Sequence, residues 1–180
     1  MRGMIFTEFL EMVESEFSAD VVDDILEQSE LPSGGIYTAV GTYDHDEMVT
    51  LVEALARHAG STSTVMLRNF GEYLFGRFAA GYPAFFESAS GALEFLAGVD
   101  NYIHVEIARL YPDAELPSFE CHSPRSGCLQ MTYQSARPFA ALAEGLIRGC
   151  IGHYGQRVDI AIEDLSEGKG TAARFTLTET

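Results

Sequence analysis

Two groups of residues in this 180-residue chain could do chemistry together. The first is YQSARPF, Tyr133 to Phe139. Successive side chains of an extended strand point to opposite faces, so Tyr133, Ser135 and Arg137 would leave one face together and aim two hydroxyls and a guanidinium fork at one object. The second is His104, inside NYIHVEIARLY. Asp100, Ile107 and Ala108 lie one helical turn from it and Ala97 two turns back, a small and apolar surround that lets something flat approach the imidazole. Taken singly, each has an ordinary account, as a satisfied core histidine and a solvated strand face. Taken together they suit a macrocycle with two carboxylates, which needs one axial nitrogen donor and, at its edge, cationic and hydroxyl donors. Haem is such an object.

The elements that must position these groups follow from hydrophobic period. Phe6, Phe9, Leu10, Val13 and Phe17 in FTEFLEMVESEF give the spacing of a buried helical stripe. VVDDILEQ predicts a second helix, stopped by Pro32 and Gly34-Gly35. Asp44 followed by Glu47 reads as a capping box opening a third helix, which Gly60 ends. The helical pattern continues through VMLRNFGEYLFGRFAAGY. After a turn at Tyr82-Pro83 it runs as one helix through SGALEFLAGVDNYIHVEIARLY, stopping before Pro112. Then the period changes. FECHSPRSGCLQMTYQSA predicts two strands around an SPRSG turn, and RPFAALAEGLIRGCIGHY a helix with Pro138 in its first turn. RVDIAIED and ARFTLTE predict two more strands, joined by SEGKGTA. Helices early and an antiparallel sheet late make an α+β fold, read as one domain over residues 1–180.

Composition excludes several classes. A hydrophobic content of 47% suits a globular domain with a real core. The formal net charge of −16, from 27 acidic against 11 basic residues, would repel a phosphate backbone, so nucleic acid is a poor partner. Glu8 interrupts the apolar N-terminal stretch before it becomes a signal-peptide core, and no run reaches membrane-spanning length. Cys121, Cys128 and Cys150 are an odd count at wide spacings, which suits a reducing compartment, and the chain is placed in the cytoplasm. The acids sit mostly on helix exteriors, without a nucleophile and base or paired carboxylates, so an enzyme is not expected.

The order of motifs resembles the haem nitric oxide/oxygen binding (H-NOX) family, related to the sensor domain of soluble guanylate cyclase. The MRG opening, DVVDDIL, YDHDE, Phe70-Gly71, YPAFF, IHVEIARLYPDAELP and YQSARPF followed by EGLIRG all fall in family order, across essentially the whole chain. The resemblance implies haem b (Fe protoporphyrin IX) buried between a helical distal part, about residues 1–60, and a proximal part, about 61–180. It implies His104 as the axial iron ligand, and Tyr133, Ser135 and Arg137 as the clamp on the haem propionates. Pro117 matches the proline that presses on the porphyrin. Ile5, Phe9, Leu74, Phe78, Leu142 and Leu146 match pocket positions. Oxygen-binding members place a tyrosine where this chain has Leu142. A pocket without a donor gives oxygen little help, so the expected ligand is nitric oxide, with CO as a second. Tyr73 and Tyr37 are the other phenols that could donate.

Nitric oxide weakens the bond trans to it, so loss of the His104 bond is the expected signal, passed to a separate protein such as a histidine kinase or a cyclic-di-GMP enzyme. An oxygen-binding haem protein and a haem/thiol redox sensor are the alternatives. Gly71 serves either local adjustment of its helix or close packing. At the family position that faces the clamp arginine stands His45, flanked by Asp44 and Asp46, any of which could reach Arg137. Cys121, His122 and Cys128 flank the predicted SPRSG turn, one ligand short of a structural zinc site. An ordinary hairpin is the expectation there, with a reversible Cys121–Cys128 bond as the lesser alternative.

Overall fold

The computed structural model describes residues 1–110, 112 and 114–180, with the backbone alone at Leu110. The chain divides into two units, Met1–Phe70 and Gly71–Thr180. Among the described residues no helix is long and apolar enough to cross a membrane.

The first unit contains α1 (Gly3–Glu16), α2 (Ala19–Glu27), α3 (His45–His58) and the start of α4 (Ser63–Gly81). The apolar stripe of α1 goes inward at Phe6, Phe9, Met12 and Val13, and Val21 and Ile25 of α2 and Met48, Leu51, Val52 and Leu55 of α3 are buried as well. Burying each such side chain contributes roughly 1.5–3 kcal/mol. Ser18 caps α2, its Oγ accepting from the Val21 N–H at 3.3 Å. The expected capping box at α3 does not form. Asp44 is the N-cap, but it accepts from the Asp46 N–H at 3.1 Å. Glu47 turns inward and accepts from the hydroxyls of Ser33 and Tyr37. Loop 28–44 brings both donors to that carboxylate, and a buried carboxylate needs them more than an exposed helix start needs a second cap.

The second unit takes the rest of α4, a 3-10 turn (Pro83–Phe85), α5 (Ala92–Gly98), a π-helical turn (Val99–Ile103) and α6 (His104–Leu110). After these come β1 (Ser118–Arg125), β2 (Cys128–Gln134), α7 (Ala140–His153), β3 (Val158–Asp164) and β4 (Ala172–Glu179). The strands form one antiparallel sheet in the order β1-β2-β4-β3. Leu129, Met131 and Tyr133 of β2 and Ala173, Phe175 and Leu177 of β4 share the buried face, packed with Leu96, Ala143, Ile147, Cys150 and Ile151. This is the α+β arrangement that the change of period predicts.

Three boundaries differ from the sequence reading. The helix expected through residues 90–111 is divided by the π turn, and its expected last residue, Tyr111, lies outside the described residues. The SPRSG turn shrinks to Ser126-Gly127, because Ser123, Pro124 and Arg125 stay in β1, where a bulge between His122 and Arg125 absorbs the irregular register. Gly127, at φ +69, supplies the backbone that this tight loop needs. Pro138 falls before α7 rather than in its first turn. The helix begins at Ala140, whose N–H is held by the Gly170 carbonyl at 2.9 Å.

Candidate functional site

Tyr133, Ser135 and Arg137 come together, but not as a strand face. β2 ends at Gln134. The Ser135 N–H donates to the Thr171 carbonyl at 2.9 Å, and Ser135 Oγ then accepts from the Arg137 N–H at 3.1 Å, which curls the chain toward Pro138. Burial pushes the Tyr133 phenol pKa up, against the opposing pull of hydrogen bonds with the Ser135 side chain and the Phe139 backbone and of the Arg137 charge. The phenol therefore remains a protonated donor at neutral pH.

The Arg137 guanidinium already receives a carboxylate. Its Nη1 donates to the Glu115 carbonyl at 3.1 Å and its Nη2 to the Glu115 carboxylate. The arginine side chain is 15% exposed and that of Glu115 80%. Within the second unit the acid on Arg137 comes from the loop between α6 and β1; residues 44–46, to which the sequence reading looked, belong to the first unit. There, both ring nitrogens of His45 lie near carboxylates, at 3.3 Å from Asp44 and 3.4 Å from Asp46.

His104 opens α6 with its side chain 16% exposed and its Nδ1 3.0 Å from Asp100 Oδ1. In a neutral imidazole, a carboxylate at that distance favours the Nδ1–H tautomer, in which the Nε2 lone pair is available. The imidazole also meets the Phe119 ring, centroid to centroid 5.9 Å, and Phe119 meets Tyr133, its cross-strand partner, at 5.5 Å. One aromatic side chain therefore links the imidazole to the clamp.

Apolar residues line up on two crossing helices. Leu74 is buried and Phe78 half-buried on α4, and Leu142 is buried and Leu146 half-buried on α7. The crossing is close at Gly71, where a Cβ would stand 2.4 Å from the Leu142 carbonyl oxygen and 2.7 Å from Gly145 Cα. This glycine serves close packing. Pro117 is half-buried in the loop that carries Glu115. In the first unit, Ile5 is half-buried and Phe9 is buried edge-on against Phe70, with ring centroids 5.2 Å apart. The Tyr37 phenol donates to Glu47 at 2.8 Å, and burial raises its pKa.

The cysteines are not gathered. Cys121 pairs with Met131 and Cys128 with Arg125, three residues apart along the hairpin. That separation of roughly 10 Å is beyond the reach of a disulfide. Among the described residues, the side chains close enough to share a metal ion are those of Asp44, His45 and Asp46.

Sequence reasoning named Asp100 only as a neighbour of His104 and passed over Phe119 and Glu115. Asp100 carries a readable signal, a carboxylate one turn before a candidate ligand. Phe119 follows once the hairpin register is known. Nothing in the sequence marks Glu115, whose contact depends on the path of a loop. The donor set fits haem: an imidazole with its outer nitrogen already satisfied, and a guanidinium beside two hydroxyls in a geometry that accepts a carboxylate.

The comparisons agree with this chemistry. The profile of a family described as haem-NO-binding matches residues 2–162. The chain is 36% identical to an unliganded Fe(II) H-NOX protein from K. algicida, over all of this chain and 97% of that one, with a TM-score of 0.94. It is 38% identical to the IWP-051-bound H-NOX from Shewanella woodyi in the Fe(II)CO state, over 100% and 95%, with a TM-score of 0.83. An H-NOX protein from S. oneidensis in the Fe(II)NO state, 22% identical over 100% and 99%, shares the fold at a TM-score of 0.91. No curated protein matches the chain. With a family match over most of its length and a whole-chain relative well above 30% identity, the chain belongs to the H-NOX family of haem-binding gas-sensor domains.

Proposed function

We propose that this chain is a cytoplasmic haem-based sensor of nitric oxide that binds haem b, with His104 as the iron ligand and Tyr133, Ser135 and Arg137 on the propionates. When bound, ferrous haem would supply an iron able to bind a diatomic gas and one protein nitrogen. His104 offers that nitrogen through Nε2, because Asp100 occupies Nδ1. Arg137 and the two hydroxyls offer charge-assisted and neutral hydrogen bonds to carboxylates. Pro117 fills space on the loop that Arg137 anchors.

The observation that carries the choice of gas is the chemistry of Leu74, Phe78, Leu142 and Leu146, none of which has a hydrogen-bond donor. Oxygen needs a donor beside it to be held well, and nitric oxide does not. Tyr37, one of the phenols that could have supplied a donor, is committed to Glu47. The signal is the release of His104 and of α6 behind it, read by a separate effector such as a histidine kinase or a cyclic-di-GMP enzyme through contacts that differ between the two states. A thiol-redox role is less favoured: Cys150 is fully buried and its pKa is pushed up to about 12 by that burial.

Absorption spectra of the ferrous protein test this reading: anaerobic, after air, and after nitric oxide. The expected result is a haem spectrum that ignores air and changes with nitric oxide to that of iron without a trans nitrogen ligand. His104→Gly is expected to hold ferrous haem normally only when imidazole is supplied. A stable spectrum with oxygen bound would overturn the choice of gas, and an unchanged His104→Gly spectrum without imidazole would overturn the ligand.

A further inference from the structure

The turn ahead of His104 is π-helical. The His104 N–H bonds to the Val99 carbonyl, five residues back, where an α-helix would use that of Asp100. Asp100 instead meets His104 with its side chain, Oδ1 to Nδ1 at 3.0 Å, and the two side chains are only 35% and 16% exposed. Asp100 also lines a cleft with Ser118, Phe119, Glu120, Thr132 and Gln134, so it stands where the π turn faces the hairpin that carries Tyr133. A carboxylate that accepts the outer N–H of a ligating imidazole fixes its tautomer, restrains ring rotation and makes the inner nitrogen a stronger donor.

We infer that Asp100 is the positioning residue of the iron ligand: it holds His104 as the Nδ1–H tautomer and sets how strongly Nε2 binds iron, and thereby how readily nitric oxide releases it. The inference rests on the proposed role of His104. A stronger Nε2 donor resists displacement, so Asp100 raises the threshold of the sensor. A purely structural i,i+4 contact would leave that threshold alone.

Resonance Raman spectra of the haem-loaded ferrous protein read the strength of the iron–histidine bond directly. In Asp100→Asn the iron–histidine stretching band is expected to move to lower frequency, and loss of the imidazole after nitric oxide is expected to quicken by roughly tenfold or more, the usual scale for losing such a partner. Asp100→Glu is expected to move both back toward the parent. A folded, haem-loaded Asp100→Asn protein with the parent band and the parent rate would overturn the inference.

A second measurement stands even if Asp100→Asn folds poorly. His104→Gly filled with imidazole is expected to show a higher-frequency band than the same variant filled with 1-methylimidazole, which has no outer N–H to give Asp100. Equal bands would again overturn the role of Asp100 while leaving His104 as ligand. If His104→Gly needs no added imidazole, the ligand assignment falls, and the role of Asp100 with it.

Discussion

Arg137 has one positive charge, which Glu115 engages and which the proposed propionates would share. Glu115 takes Nη2 from a position that is four-fifths exposed, where solvent screens most of the attraction, while its backbone carbonyl takes Nη1. A propionate reaching the same guanidinium would compete with the Glu115 side chain and leave the carbonyl contact in place. Arg137→Ala is therefore expected to speed haem loss by roughly tenfold or more, on the scale of about 1.5–3 kcal/mol for a charged hydrogen bond. Glu115→Gln keeps the shape and removes the rival charge, so its haem loss is expected to match the parent or fall below it. Haem transfer to an apo-globin measures both. At this scale the sequence was most informative about the chemistry of side chains. Tyr133, Ser135, Arg137 and His104 stood out by type, but their grouping was foreseen through a strand face and is built by a turn. Local alternation cannot anticipate the Ser135 hydroxyl capturing the Arg137 N–H.

Among elements, the crossing of α4 and α7 is the tightest contact that bears on the pocket residues. Gly71 faces the backbone of residues 142–146, and Gly149 faces Phe75 Cβ at 2.6 Å from where its own Cβ would be. Backbone cannot yield as a flexible side chain does. Gly71→Ala is thus expected to push the helices apart and cost about 1–3 kcal/mol, as overpacking does. The midpoint of urea unfolding checks it. The helices and strands themselves were legible, because stripes such as Phe6-Phe9-Val13 and alternations such as Leu129-Met131-Tyr133 state their period openly. The failures fell where a tertiary partner decided a local choice. Glu47 turned to Ser33 and Tyr37, the hairpin kept three residues of its expected turn, and the Gly170 carbonyl fixed where α7 starts.

For the molecule as a whole, the buried thiols of Cys128 and Cys150 are expected to report on the integrity of the second unit. Cys150 lies at zero exposure with a pKa near 12, and Cys128 is buried on β2. Alkylation of Cys150 at neutral pH is expected only as fast as the second unit opens, so its labelling rate, followed by mass spectrometry, should rise steeply with urea and ignore added reductant. The π turn before His104 has a consequence of another kind, for angular phase. Each residue of a helix advances the chain by about 100°, and the turn holds one residue more than an α-helix would place there. Removing any single residue from 99–103 would rewind α6 about its axis by that angle and carry the imidazole away from Phe119, whereas exchanging side chains in the same stretch would not. In this segment chain length sets where the imidazole stands, and the carboxylate of Asp100 meets it there.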